Sequence, residues 1–299
     1  MDYQKAIVFR EQLATETLRR VPKQTFMAYG PKLYVPTATS KLEALKAYLK
    51  VLECGALLPT KPELRSGHLW HDDLHLENIL VDPKDPTKII SIIDWQATTI
   101  APIFDHQVDP SFLEYEGPEV VCDNLDAPEL PDDWKSLPDQ ERAAVLETHT
   151  AHSVMVAWRR AVKKKNPALH SAIQFRETSQ SKLLTISRRL FEMGETHVLA
   201  FLLVLRDEWD SPEPFPLTFS KSQVAKIEDD FAKACRGVDI MEAMEHNMGD
   251  LWPDKGVVRH EDYHAAKEAI RSEKAEIEPH LVGSHEDKIV FEKHWPFDD

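Results

Sequence analysis

Apolar residues recur at helical spacing through most of this chain. Leu42, Leu45, Leu49 and Leu52 stand three or four residues apart, the repeat of one helix face, and predict a helix over Lys41 to Leu52. Ser40, with Glu43 three residues on, reads as its capping box. The same period predicts helices over Ala6 to Leu18, Arg142 to Lys165, Leu169 to Phe191, Thr196 to Trp209, Ser222 to Cys235 and Asp262 to Ile277. Asn166-Pro167 and the run from Asp210-Ser211-Pro212 to Pro216 interrupt the series, because proline cannot continue a helix. One stretch breaks the period. Ile79-Leu80-Val81 and Lys88 to Ile93 are β-branched runs on either side of Asp82-Pro83-Lys84-Asp85-Pro86, which predicts a hairpin. It is the one convincing β feature, so the expected fold class is mainly α (α+β).

Charge narrows the function. Thirty-six Lys and Arg against 51 Asp and Glu leave a net charge of −15 over 299 residues. Such a chain repels phosphate backbones and anionic bilayers, so neither nucleic acid nor a membrane is an expected partner. Asp109 to Glu141 concentrates the charge, with eleven acids, one base and five prolines, and is expected to be an extended surface loop. Such a loop is ordinarily solvated; receiving a cationic, amine-bearing substrate is the sharper alternative. Arg159, Arg160, Lys163, Lys164 and Lys165 crowd the end of one helix, either complementing its dipole or forming an anion patch. The longest apolar run, Val198 to Leu205, is far short of the ~20 residues of a membrane helix. The acidic N-terminus, with Asp2, Glu11 and Glu16, reads as neither a signal nor a transit peptide. Cys54, Cys122 and Cys235, odd in number and far apart, read as free thiols. Nine glycines, no two of them forming G-x-G, exclude Rossmann, P-loop and Gly-rich kinase loops, which need backbone close to phosphate.

Chemistry concentrates in His68-Leu69-Trp70-His71-Asp72-Asp73-Leu74-His75-Leu76-Glu77-Asn78 and, beyond the hairpin, in Ile93-Asp94-Trp95-Gln96. Polar groups packed this densely between apolar neighbours suit a loop presented by a rigid scaffold. Phosphoryl transfer gives the spacing a reason. A carboxylate must orient the attacking hydroxyl, and oxygen ligands must hold Mg²⁺. Asp73 fits the first role. Asn78 at one end of the hairpin and Asp94 at the other fit the second, since a short hairpin brings its ends together. His71 would hydrogen-bond and shape the loop.

These two segments resemble the H-x-D-L-H-x-x-N loop and the I-D-W-[EQ] segment of aminoglycoside and choline-kinase-like phosphotransferases, most closely a fungal branch, the altered inheritance of mitochondria protein 9 family. Leu69-Trp70-His71, Pro102-Ile103-Phe104, Pro110-Ser111-Phe112-Leu113 and Trp295-Pro296-Phe297-Asp298-Asp299 support the resemblance, which is expected to run nearly the whole chain. It implies the C-terminal lobe of the protein-kinase-like fold and ATP-dependent phosphoryl transfer to a small-molecule hydroxyl. Asp73 would be the catalytic base, His71 and His75 would shape the loop, and Asn78 and Asp94 would bind Mg²⁺ and, through it, ATP. Under this reading residues 1–66 are leading helices, 67–108 the catalytic loop and metal hairpin, 109–141 the acidic loop and 142–299 a helical substrate side. The family's preceding nucleotide lobe, with its phosphate-covering loop and strand lysine, has no counterpart before His71. Weakened nucleotide binding, impaired catalysis and an exposed lobe interface prone to self-association are the consequences expected. The resemblance points to mitochondria, with the cytoplasm as the alternative, since no targeting signal is read.

Rival readings remain. The alternative from another class is a non-catalytic, pseudokinase-like binding lobe. The polar cluster could be a buried network without chemistry. His68, His71, His75, Asp72 and Asp73 could bind two metals, though that explains neither Asn78 nor Asp94. His260-Glu261-Asp262-Tyr263-His264 fits H-E-x-x-H, but its polar surroundings favour an exposed helix start. Asp105 and His106, which follow Pro102 closely, are expected on a surface loop, with contact to the site as the alternative.

Overall fold

The computed structural model describes residues 27–106, 108–110, 113, 115, 117–253 and 258–297. The helix expected over Ala6 to Leu18 lies outside them, as do Ser111, Phe112, Asp298 and Asp299. The described chain is mainly helical, with two small antiparallel sheets. It divides into two compact units, residues 56–182 and residues 1–55 with 183–299.

In the unit of residues 56–182, the short helix α2 (Pro62–Arg65) leads into β1 (Gly67–His71), β2 (Ile79–Asp82), β3 (Asp85–Ile92) and β4 (Thr98–Pro102). The expected hairpin is β2–β3, paired Ile79↔Ile92 with a bulge near Val81. Its turn is narrower than expected: Pro83-Lys84 alone, closed by Asp82 Oδ1 accepting from Lys84 N at 2.9 Å, an Asx turn. It is not the only β structure. β1 pairs with β4, from Gly67↔Pro102 to His71↔Thr98. Helices α3 (Asp139–Lys165) and α4 (Pro167–Arg176) complete the unit. Its core gathers Leu64, Ile103, Val108, Cys122, Val162 and Ile173 around Trp70 and Trp158. Within the acidic segment, residues 117–133 form neither helix nor strand, Trp134–Ser136 make a 3-10 turn and α3 already begins at Asp139; Val120 and Cys122 are buried there, so the segment contributes to the core as well as to the surface.

In the other unit, α1 (Ala38–Glu53) begins three residues before its expected start. Thr37, not Ser40, is its cap, with Oγ1 accepting from Ser40 N at 3.0 Å. The helix expected over Leu169 to Phe191 is three: α4, α5 (Ser179–Arg188) and α6 (Leu190–Met193). Thr178 makes the first break, its hydroxyl donating to Phe175 O and accepting from Ser181 N. Then come α7 (Glu195–Asp207), α8 (Lys221–Met248), α9 (Tyr263–Leu281) and α10 (His285–His294). Leu33, Met241, Met244, Leu281, Phe291 and Trp295 form the core beneath them. Gly237 in the middle of α8 permits a close approach: Ala28 N donates to Gly237 O at 2.9 Å, and a Cβ at 237 would lie 2.3 Å from Ala28 O. No helix among the described residues is long and apolar enough to cross a membrane.

Candidate active site

The strand pairing determines where the polar residues meet. β1 runs into β2 through residues 72–78, and β3 into β4 through residues 93–97, while β1 pairs with β4 and β2 with β3. Both connections therefore cross between the same two sheets and lie side by side. The two motifs read from the sequence are these two connections.

Hydrogen bonds tie them together. His71 Nε2 donates to Ile93 O at 2.8 Å, which makes Nε2 the protonated nitrogen. The Trp95 ring stands edge-on to His71 at 5.0 Å and is anchored by its own Nε1–H to Ile92 O. Ile93 N donates to Asn78 O at 3.0 Å, so Asp94 follows directly on the residue bonded to Asn78. Within the first connection Asn78 is buried, and its Nδ2 donates to Asp73 O at 2.8 Å and to His75 Nε2 at 3.0 Å. The His75 proton then sits on Nδ1, 3.9 Å from Glu77 Oε2, while Nε2 lies 3.8 Å from Asp73 Oδ2. Asp73, His75 and Asn78 thus form one contact group, and His71, Ile93 and Trp95 another.

Asp94 stands apart in conformation. Its φ of 58° and ψ of 57° are left-handed, a region that non-glycine residues rarely adopt, Asp and Asn among the more tolerant. Its carboxylate is exposed and makes no hydrogen bond or ion pair with the described residues. The Asn78 amide nitrogen is engaged twice, which leaves Oδ1 as its unused acceptor. A neutral amide oxygen and a free carboxylate are the hard donor set that Mg²⁺ accepts, with water completing the shell, so these residues fit that ion.

Two roles escaped the sequence. Asp72 Oδ2 accepts from Thr99 Oγ1 at 2.8 Å, fastening the first connection to β4. His106, expected on a surface loop, is buried. Its Nε2 faces both His68 O and Ala101 O at 3.0 Å, its Nδ1 lies 4.0 Å from Asp72 Oδ1, and its ring stacks on Trp70 at 5.1 Å. The Pro102-Ile103-Phe104 neighbourhood was the only available signal, since the β1–β4 pairing that brings His106 under His68 was not foreseen. Among the described residues no three His, Cys, Asp or Glu side chains gather as a metal site. His260-Glu261-Asp262-Tyr263-His264 is split between a 3-10 turn and the first turn of α9, with both histidines exposed. Leu69, Leu80, Ile89, Ile90, Ile93 and Ile100 are exposed on and beside the two sheets.

Comparison with known proteins agrees with the motifs. Residues 18–105 match the phosphotransferase enzyme family. A subtelomeric hrmA-associated cluster protein of Aspergillus fumigatus is 34% identical over 124 residues, 42% of this chain and 23% of that protein. The mitochondrial altered inheritance of mitochondria protein 9 of Candida glabrata is 24% identical over 187 residues, 58% of this chain and 27% of its own. Its counterpart in Lachancea thermotolerans is 27% identical over 183 residues, 58% of this chain and 29% of its own. The chain therefore spans about a quarter of the length of the curated relatives it matches, and these matches cover less of it than the near-complete resemblance expected. No solved structure matches. Through residues 18–105 the chain resembles the phosphotransferase enzyme family, and over 58% of its length the altered inheritance of mitochondria protein 9 of Candida glabrata.

Proposed function

We propose that this chain carries the catalytic segment of an ATP-dependent phosphotransferase acting on a hydroxyl of a small molecule. The observation that carries the reading is the double engagement of Asn78, whose amide holds the Asp73 backbone while its carbonyl holds Ile93. It supports a rigid relation between the residue that would take the hydroxyl proton and the strand end that would bind metal. Asp73 Oδ2, exposed and 3.8 Å from His75 Nε2, is the base that orients the acceptor. His75 accepts from Asn78 and braces the loop that carries Asp73. His71 and Trp95 keep the second connection against the first. Asn78 Oδ1 and Asp94 would hold Mg²⁺, which neutralises phosphate charge when bound. The mitochondrial names of the relatives support a mitochondrial location.

A second reading is a binding lobe without catalysis. It is favoured by the lack of any G-x-G pair in 299 residues and by the aliphatic surface on the sheets, which supports self-association.

Turnover of ATP over a panel of hydroxylated amines decides between them. A positioned base is worth roughly 10²–10⁴ in rate, so turnover that falls by that factor in Asp73→Asn, and equally in Asp94→Asn, sustains the phosphotransferase. Turnover unchanged in both variants, or Mg²⁺–nucleotide binding unaffected by Asp94→Ala, overturns it.

A further inference from the structure

The β1–β4 sheet feeds both connections of the site, yet its own packing specifies its register weakly. It has two strands of five residues, and every residue of both is exposed or only partly buried. Its cross-strand pair Leu69↔Ile100 is 60% and 76% exposed. A sheet this small is marginal by itself, and register is strongly set only where one face is buried.

His106 supplies the missing constraint. Its ring is buried and stacks on Trp70 of β1. Its backbone is held from below, with His106 O accepting from Arg176 Nη1 at 3.3 Å. Nε2 lies 3.0 Å from His68 O and 3.0 Å from Ala101 O. A carbonyl oxygen only accepts, so Nε2 carries the proton and donates to both. Those two carbonyls belong to one cross-strand pair, His68↔Ala101. A single N–H can meet both only in this register, because a slip of one residue would carry one carbonyl about 3.3 Å along the strand. The same register sets Thr99 opposite Trp70, from where its hydroxyl reaches Asp72 Oδ2 at 2.8 Å. His106 Nδ1, 4.0 Å from Asp72 Oδ1, is beyond hydrogen-bond reach, so Asp72 is held by Thr99 and not by the ring. Asp73 is the next residue. We propose that His106 is a positioning residue: it pins the β1–β4 register and so fixes where the segment carrying Asp73 leaves the sheet. Only the kinetic consequence rests on the phosphotransferase reading above.

The test compares His106→Gln, His106→Asn and His106→Leu in the 299-residue protein. Glutamine carries an N–H where Nε2–H stood, asparagine only where Nδ1 stood, and leucine none. Two readouts are taken: kcat for ATP turnover, and hydrogen exchange of the His75 and Asn78 amides, which donate to Asp73 O and His75 O within the connection. His106→Leu and His106→Asn are expected to lower kcat, and to speed exchange, by roughly tenfold or more, the loss of one buried hydrogen bond. His106→Gln should restore both. Should the leucine variant fail to fold, the asparagine and glutamine pair makes the same comparison between two polar side chains. Val162→Ala, which opens a cavity in the same core, should lower the melting temperature while keeping kcat and the exchange of these two amides. Unchanged exchange in folded His106→Leu and His106→Asn overturns the proposal whether or not ATP is turned over. So does an active parent whose kcat survives in both, an equal loss of kcat in Val162→Ala, or a His106→Gln protein as impaired as His106→Asn. A parent without turnover whose exchange follows the expected order sinks the phosphotransferase reading and sustains the pin.

Discussion

Asn78 holds the backbone of Asp73: its amide Nδ2 lies 2.8 Å from the Asp73 carbonyl oxygen, across five residues of chain. Asn78→Ala leaves that carbonyl and His75 Nε2 without their donor, at a cost of about 1–3 kcal/mol. Asn78→Asp should cost more near neutral pH, since it sets a carboxylate against the same carbonyl. Urea midpoints of the three proteins check the order; an alanine variant as stable as the parent would show that the bond is not made in solution.

Gly237→Ala should destabilise the protein although alanine is the better helix former by up to about 1 kcal/mol. The added methyl meets Ala28 O at 2.3 Å and Met27 Cγ at 2.9 Å, so the segment at Ala28 must leave α8 and break its bond to Gly237 O. Thermal unfolding reads the sign, and a gain in melting temperature would contradict the close approach.

Glu195 is fully buried, accepting from Tyr34 Oη at 2.6 Å and from Thr37 N at 3.2 Å. Burial, then Glu195, pushes the Tyr29 phenol up to about 12. Tyr34 is raised further, by burial first and then by its hydrogen bond to Glu195. In the unfolded chain both ionise near 10.0. Above that pH the unfolded state releases protons that the folded state keeps, so stability falls as pH rises, and Tyr29 completes its share near pH 12. Below pH 10 the contribution is whole. Tyr34→Phe should be less stable than the parent near neutral pH yet lose less between about pH 10 and pH 11. Urea unfolding at both ends of the range reads the two slopes, and parallel slopes would refute the assignment.

The cysteines should separate by reactivity. Cys54 is exposed, whereas Cys122 is buried. Burial, with a hydrogen bond to Glu177 as the next cause, pushes the Cys122 thiol up to about 12. Only the thiolate attacks an alkylating reagent. With iodoacetamide near pH 8, Cys54 is expected to react within minutes and Cys122 only after denaturant is added. Mass spectrometry of peptides counts both, and equal rates in the folded protein would be the contrary result.

The helical elements and the hairpin were legible because each announces itself locally. Leucines on one face marked α1, and two β-branched runs around Pro83-Lys84 marked β2–β3. The capping box at Ser40 and Glu43 was misread because Thr37 competes for the same role three residues earlier. Thr37→Ala should accordingly cost about 1 kcal/mol and Ser40→Ala less, a comparison that thermal unfolding settles. The break at Thr178 was hidden, since its side chain closes the turn with no glycine or proline to mark it. β1 and β4 were hidden for a different reason. Gly67–His71 and Thr98–Pro102 lack clean alternation, and each needs a partner some thirty residues away. The site followed the same rule. Asp73, Asn78 and Asp94 stood in recognisable spacing, whereas the support from Asp72, Thr99 and His106 depends on that unforeseen pairing.

Under the proposed function, the left-handed backbone at Asp94 sets stability and retained chemistry against each other at a single position. Glycine would occupy that conformation without the roughly 1–2 kcal/mol that a Cβ costs there, so a library at residue 94 sorted only for thermal endurance should drift to glycine or asparagine. A library sorted for turnover should hold the carboxylate at the expense of endurance. Divergence between the two populations would date the residue's cost to selection for chemistry, and convergence on glycine in both would mean that the charge at 94 is a relic.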